Sequence, residues 1–289
     1  MPNGLSFVDL FSGTGTIRMG MEQAGHKCTY SVEWDKHKRK IYGIIFGGEP
    51  EGADIREVHA NDIPRSDIWT FGAPCQDFSI AGERAGMEGE RSSLVLEVFR
   101  LIREIKEEDR PKYLIYENVK GMLSSNGGRD FLGILDKMAA LGYDQIEYSL
   151  LNSKDFGVPQ NRERVFAIGH LRGRDTREIF PIGGTCENSI IKIGDLQLKG
   201  RNESSCRVYS ANGLSPTLMK CEGGGLQHKI VDGERIRWLT ARETWRLQGI
   251  ADEVIDKVIQ AGISVSQMYR GSGDSCTANV IYEIAKKLT

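Results

Sequence analysis

The chain reads as an α/β protein built on a doubly wound, mostly parallel sheet, with a smaller irregular or β-rich region attached. Three observations predict this. Short apolar runs of β formers alternate with helical apolar spacing through the first 170 residues. Between about 172 and 236 glycine is frequent and the helical period fades. Helical signals return at 240.

Leu5–Phe11 is the first strand, followed by Ser12-Gly-Thr-Gly15 and a helix to about Ala24. Cys28–Trp34 is a second strand and 36–46 a second helix. Asp67–Phe71 is a strand ending at Gly72-Ala73-Pro74. Leu94, Val98, Leu101, Ile102 and Ile105 have the spacing of one helical face within 92–108. Tyr113–Tyr116 reads as a buried strand, 130–141 as a helix, and Tyr143–Leu151 and Arg164–Leu171 as two more strands. Thr240-Ala-Arg-Glu243 is a capping box opening a helix that stops at Gly249, and 276–288 is a last helix. The expected division is a catalytic unit over 1–171, a variable region over 172–236, a connecting segment over 237–263, and a C-terminal segment over 264–289 that packs back on the first unit.

Composition narrows the function classes. With 39% hydrophobic and 27% charged residues, the 289-residue chain belongs with globular proteins. It holds no run of 18 apolar residues, and Met1-Pro-Asn-Gly-Leu-Ser6 lacks the basic and apolar parts of a signal peptide, so a cytoplasmic protein with no membrane association is expected. The six cysteines (28, 75, 186, 206, 221, 276) include no Cys-x-x-Cys pair, and the five histidines form no zinc-type motif, so reduced thiols and no metal are expected. A net charge of −2 argues weakly against nucleic acid, and residues 166–236, with 10 basic and 8 acidic side chains, shift that little.

The strand ends carry the chemistry. In an open parallel sheet, ligands bind beyond the carboxyl ends of the strands. Here those ends, or the loops after them, bear Asp9 through Gly15, Glu33-Trp34, Asp54-Ile55, Pro74-Cys75-Gln76 and Glu117-Asn118-Val119. Read singly, Gly13-Thr-Gly15 is a tight turn, Trp34 a core tryptophan, Asp54 a loop cap and Glu117 a strand-end partner for an arginine. Five such signals in register point to one site. Arg18 stands where a dinucleotide fingerprint needs its third glycine, so a pyrophosphate cofactor is disfavoured. Glu33 is placed for ribose hydroxyls, Trp34 for the face of an adenine, and Asp54 for an adenine amino group. Cys75, after a proline and before a glycine-dotted stretch, reads as a nucleophile followed by a moving loop. Glu117, at the end of an apolar strand, reads as a buried acid able to donate a proton. Gln160-Asn-Arg-Glu-Arg-Val165 sets two alternating arginines, Arg162 and Arg164, toward a polar substrate.

These motifs, in order, resemble those of the cytosine-5 DNA methyltransferase family over nearly the whole chain. To the stretches above are added Arg91-Ser-Ser-Leu94, Arg237-Trp-Leu-Thr-Ala-Arg-Glu243, Arg246-Leu-Gln-Gly249 and Gly273-Asp-Ser275. The resemblance implies the S-adenosylmethionine-dependent methyltransferase fold and a cofactor pocket lined by Phe11, Gly13, Glu33, Trp34, Asp54, Ile55, Pro74, Leu94 and Ser275. It implies Cys75 as nucleophile, with Glu117, Arg162 and Arg164 around the target base and Asn118 ordering the catalytic segments. It implies 172–236 as the target-recognition region and double-stranded DNA as partner. Gln76 and Ser79 are candidates for filling the place of the displaced base or holding a phosphate. The last motif departs from the family's usual Gly-Asn-Ser at Asp274, and Gly213-Leu-Ser-Pro-Thr-Leu218 resembles a segment often found near the end of the recognition region. The implied enzyme is a monomer of the prokaryotic or phage modification type, with a matched restriction endonuclease as its functional partner. A transfer-RNA methyltransferase of the same fold would carry Cys-Phe-Thr in the variable region, which is absent here. A catalytically silent DNA-binding relative would not need Cys75 and Glu117.

Overall fold

β1 (Ser6–Leu10) alternates its side chains between the two faces of a sheet, and that alternation builds two cores. Val8 and Leu10 join one cluster, with Trp69, Phe71, Leu114 and Tyr116 from neighbouring strands. Phe7 joins the other, with Ile68, Ile115 and Phe166. The computed structural model describes residues 4–72, 94–197, 203–220 and 227–289.

The main sheet holds β1, β2 (Lys27–Val32), β3 (Ile68–Phe71), β4 (Tyr113–Val119), β5 (Gln145–Asn152) and β6 (Glu163–His170), in the order β2-β1-β3-β4-β6-β5. Pairings among β1 to β4 are parallel, whereas β6 runs antiparallel to both β4 and β5. Only β6 therefore opposes the common direction. On one face lie α3 (Leu94–Glu104) and α4 (Arg129–Ala140), whose Val95, Val98, Ile134 and Met138 enter the first cluster. On the other lie α1 (Thr16–Gln23) and the C-terminal helix, Ala278–Ala285, through Ile17, Met21, Val280 and Ile284. A helix on each face makes the sheet doubly wound.

α2 (Lys36–Phe46) starts on Asp35, whose carboxylate accepts from the His37 and Lys38 N–H groups. After β6 the chain builds a second, four-stranded sheet from β7 (Lys192–Asp195), a single helical turn α5 (Glu203–Cys206), β8 (Arg207–Ser210), β9 (Lys229–Asp232) and β10 (Arg235–Trp238). β10 runs past residue 236, because its last residue, Trp238, still pairs with Lys229.

The Thr240–Glu243 capping box is formed, and α6 (Ala241–Arg246) follows it. This helix stops three residues short of Gly249, which sits at φ 76° with no room for a side chain beside Asn279. α7 (Asp252–Gln260) and α8 (Val265–Asp274) come before the last helix, α9 (Ala278–Ala285). Both lie in stretches left without an element by the sequence reading. α8 opens on a Ser264–Gln267 capping box that is legible in the sequence. Ile41 of α2 packs with Trp245, Ile255 and Met268 from these helices, so the segment after the second sheet lies against the first unit.

Candidate active site

The carboxyl ends of β1, β2 and β4 converge on one edge of the main sheet, and the backbone there is bent to suit. Phe11 stands at φ 67°, a rare conformation for a non-glycine residue, and Gly13 at φ 59°. Among the described residues nothing approaches the side of Gly13 where a Cβ would point. Glu33, at the end of β2, is buried and fixes that loop. Its Oε2 accepts from the Gly13 N–H at 2.8 Å and its Oε1 from the Asp35 N–H at 2.7 Å. Trp34 beside it is 66% exposed, unlike a core tryptophan. The Arg56 guanidinium lies over its ring at 5.3 Å and is held there by both carboxylate oxygens of Asp54. Ile55 is buried behind them, and Leu94 packs at the start of α3. Thr14 and Ser275 share a hydroxyl–hydroxyl hydrogen bond of 3.0 Å, which joins the glycine loop to the end of α8. A buried acid, a largely exposed indole and a glycine backbone along one rim suit a nucleoside of the size of S-adenosylmethionine. Arg18, in the place of the missing third glycine, is turned away over the Phe46 ring and paired with Glu22.

At the middle of the same edge stands Glu117. Its register partner is Phe166, and Val119 pairs with Arg164, so the start of β6 lies alongside the end of β4. The antiparallel direction of β6 is what brings the arginine motif to the carboxyl edge. Arg164 Nε is 3.1 Å from Glu117 Oε1, with both side chains more than four-fifths buried. Burial pushes the Glu117 carboxyl up, against the pull of Arg164 and Arg162. Any side chain at position 72 would strike Glu117 Oε2, so the chain passes the acid at Gly72, three residues before Cys75. Pro74, Cys75, Gln76 and Ser79 themselves lie outside the described residues, as do the loop expected to move and Arg91-Ser-Ser93.

Arg162 is fully buried, and its guanidinium donates to the carbonyls of Leu218, Gly273 and Ser275 at 2.9, 2.9 and 2.6 Å. Its Nε has no partner among the described residues. Burial, with Arg164 nearby, pulls it down to about 9. Asn118 is buried, donates to the Tyr116 hydroxyl and accepts from the Val119 N–H, which holds the turn after β4. Burial pushes two of the described cysteines away from thiolate chemistry: Cys28 up to about 12, and Cys276 higher still.

Several residues that shape the site carried no chemical signal in the sequence. Gln160 is wholly buried, donating to the Leu247 carbonyl and accepting from the Leu218 N–H. Gln248 donates to Ser272 O and accepts from Thr277. These amides connect the start of β6, the 213–218 segment and the C-terminal helices. Gln160 opens the polar motif singled out for its arginines and Gln248 lies within Arg246-Leu-Gln-Gly249, but neither spacing says which backbone groups they bond. Asp9 is buried with one oxygen unpartnered, and desolvation pushes its carboxyl up to about 7.

The chain matches the family described as C-5 cytosine-specific DNA methylase over residues 5–192 and 188–289. It is 32% identical to the type II methyltransferase M.HhaI of Haemophilus parahaemolyticus, covering 98% of this chain and 93% of that one. It is 35% identical to M.HaeII of Haemophilus aegyptius, covering 96% and 91%. The fold is similar to that of the S. pombe Dnmt2 methyltransferase, with a TM-score of 0.76, 18% identity and 97% of both chains covered. It is also similar to that of the Entamoeba histolytica methyltransferase EhMeth, with a TM-score of 0.73, 18% identity, and 97% and 96% covered. The six-stranded sheet with its smaller second sheet is the fold shared with these methyltransferases. The chain belongs to the C-5 cytosine-specific DNA methylase family, and it is an enzyme of the DNA (cytosine-5-)-methyltransferase class.

Proposed function

We propose that the protein methylates carbon 5 of a cytosine within one short double-stranded DNA sequence, after flipping that base to the edge of the main sheet. The carrying observation is the buried Glu117–Arg164 pair lying against Gly72, three residues before Cys75. S-adenosylmethionine, when bound, supplies an electrophilic methyl group. Glu33 would hold its ribose and Trp34 its adenine, with Asp54, Ile55, Phe11, Gly13, Pro74, Leu94 and Ser275 around them.

Carbon 5 of cytosine is a poor nucleophile until electron density is added to the ring. The Cys75 thiolate adds to carbon 6, forming a C–S bond and making carbon 5 enamine-like. A protonated Glu117 donates to ring nitrogen 3, where negative charge develops. Burial, which favours the neutral acid, keeps that proton available. Arg164 orients Glu117 and reaches the base oxygen. Arg162 acts through the backbone it ties, with its Nε facing the same buried region. After methyl transfer a base removes the carbon-5 proton, the C–S bond breaks and the thiolate leaves. A stacked cytosine is out of reach of these groups, so the base must leave the helix. Asn118 holds the turn beneath Glu117, and Gln76 or Ser79 would fill the vacated place or hold a phosphate.

Residues 172–236 would read the target, and the type II relatives support a restriction–modification setting with a matched endonuclease. Among the described residues no helix is long and apolar enough to cross a membrane. The proposed enzyme is a cytoplasmic monomer acting on the host's or a phage's DNA.

The test is a duplex with 5-fluorocytosine at the target, the target first being mapped by conversion sequencing. Fluorine cannot leave as a proton, so the wild-type protein should be trapped in a cofactor-dependent adduct at Cys75. Cys75→Ala should form none. Absence of an adduct on a confirmed target overturns the covalent mechanism, and trapping on RNA instead moves the substrate class.

A further inference from the structure

We propose that Arg56 competes with the adenine of S-adenosylmethionine, its guanidinium standing in for the base on Trp34 and Asp54 until the cofactor displaces it. The inference rests on the reading of that rim as the cofactor site. The guanidinium lies over the Trp34 ring, 5.3 Å from its centroid. Its Nε donates to Asp54 Oδ1 at 2.9 Å and its Nη2 to Asp54 Oδ2 at 2.5 Å. One planar group thus lies between the indole and the carboxylate and engages both.

Adenine would use the same two partners. It is flat, it stacks on an indole face, and its amino group donates to a carboxylate. A guanidinium has these three properties and adds a charge. A base that reaches Asp54 while stacking on Trp34 needs the place between them, which the guanidinium fills.

The backbone around Arg56 is fixed, and its side chain is free to leave. The Arg56 N–H donates to Asp54 Oδ1 at 3.0 Å, Ile55 is buried, and Arg100 donates to the Ile55 and Val58 carbonyls at 3.3 and 2.9 Å. The Arg56 side chain itself is half exposed, and among the described residues Asp54 and Trp34 are the groups that hold its guanidinium. Turning it into solvent breaks two contacts that are each weak at an exposed site, and it moves no backbone. The hydrogen bonds from Arg56 hold the Asp54 carboxyl below its usual range, so the acid stays charged and ready to accept from an incoming amino group.

Wild-type protein is first titrated with S-adenosylhomocysteine by calorimetry. No binding, or binding that Glu33→Ala leaves unchanged, overturns the cofactor reading and this inference with it. Given binding that Glu33→Ala weakens, Arg56→Met should tighten it about five-fold, the scale of one exposed ion pair together with one exposed cation–π contact. Arg56→Lys, which keeps the charge without the flat fork, should fall between the two. Salt supplies a second readout, because it weakens the exposed Arg56–Asp54 pair. An increase of about ten-fold in salt should tighten binding to the wild type and change it little in Arg56→Met. A merely structural role for Arg56 would give looser binding on its removal, not tighter. Unchanged or weaker binding in Arg56→Met, or the same salt response in both proteins, overturns the proposal and leaves the cofactor reading standing.

Discussion

Glu117 concentrates the chemistry of this enzyme in one proton. Its carboxyl is raised by burial and held back by Arg164, so its occupancy is sensitive to pH and to its neighbour. Glu117→Gln keeps the shape and removes the transferable proton. Turnover should fall by roughly 100-fold or more in single-turnover assays, with cofactor affinity little changed. Near-wild-type turnover would remove Glu117 from the acid role. In the wild type, turnover should decline on the alkaline side as Glu117 loses its proton. Glu33 is a separate case, since its two oxygens already order Gly13 and Asp35. Glu33→Ala should therefore weaken S-adenosylhomocysteine binding by calorimetry while the fold persists. Asp9 shows how a buried acid bears on stability. Its folded value of about 7 stands above the unfolded 3.8, so the folded state binds a proton that the unfolded state releases. The resulting contribution is fully present below pH 4, is lost as pH rises through 7, and is flat beyond. At about 1.4 kcal/mol per pH unit it amounts to a few kcal/mol. Asp9→Asn should flatten this slope in urea unfolding between pH 4 and 7, and an unchanged slope would assign the pH dependence elsewhere.

At the scale of elements, the reversed direction of β6 decides how the site is assembled. A parallel strand would bring its carboxyl end to the edge and bury Arg162 and Arg164 at the opposite side of the sheet. Because β6 is antiparallel, its first residues arrive beside the last residues of β4. The two arginines part because Arg164 lies within β6 whereas Arg162 lies just before its first residue, Glu163. Arg164 faces Glu117, and Arg162 faces the carbonyls of Leu218, Gly273 and Ser275. Arg162→Met should leave those three buried acceptors without a donor and cost about 3–5 kcal/mol in denaturant unfolding. Arg164→Met should cost far less stability and far more turnover. If the two variants lose stability equally, the division of labour between them is wrong. The expected strands and helices of the first unit form within a few residues of their predicted ends, because each is short, periodic and closed by a turn residue. α7 and α8 lie outside the family's motifs, and their buried faces, Ile255, Val258 and Met268, are set by packing with Ile41 and Trp245.

For the whole molecule, we propose that specificity and catalysis occupy different sheets, with Gln160, Arg162 and Thr217 among the polar side chains between them. Exchanging 172–236 with a relative of another target should move methylation to that target, as seen by conversion sequencing, since base-edge contacts specify and phosphate contacts position. The exchange should run through Trp238 to keep β10 paired, and should keep Ser215, Thr217 and Leu218, which bond the 160–162 stretch. A folded, active chimera that retains the original target would place recognition outside this region.

The sequence by itself determined the alternation of strands and helices, the polar residues at the strand ends, the capping boxes and the family. All of these are written in local spacing, which fixes backbone conformation and face without reference to distant residues. Tertiary structure alone decided that Trp34 is largely exposed with Arg56 over its ring, that Arg162 is a brace while Arg164 meets the acid, and that Asp274 lies between Lys38 and Lys220. Those outcomes depend on which strand direction the sheet accepts and on which carbonyls burial leaves in need of a donor. Both are settled by packing between segments far apart in the chain, where no spacing rule applies.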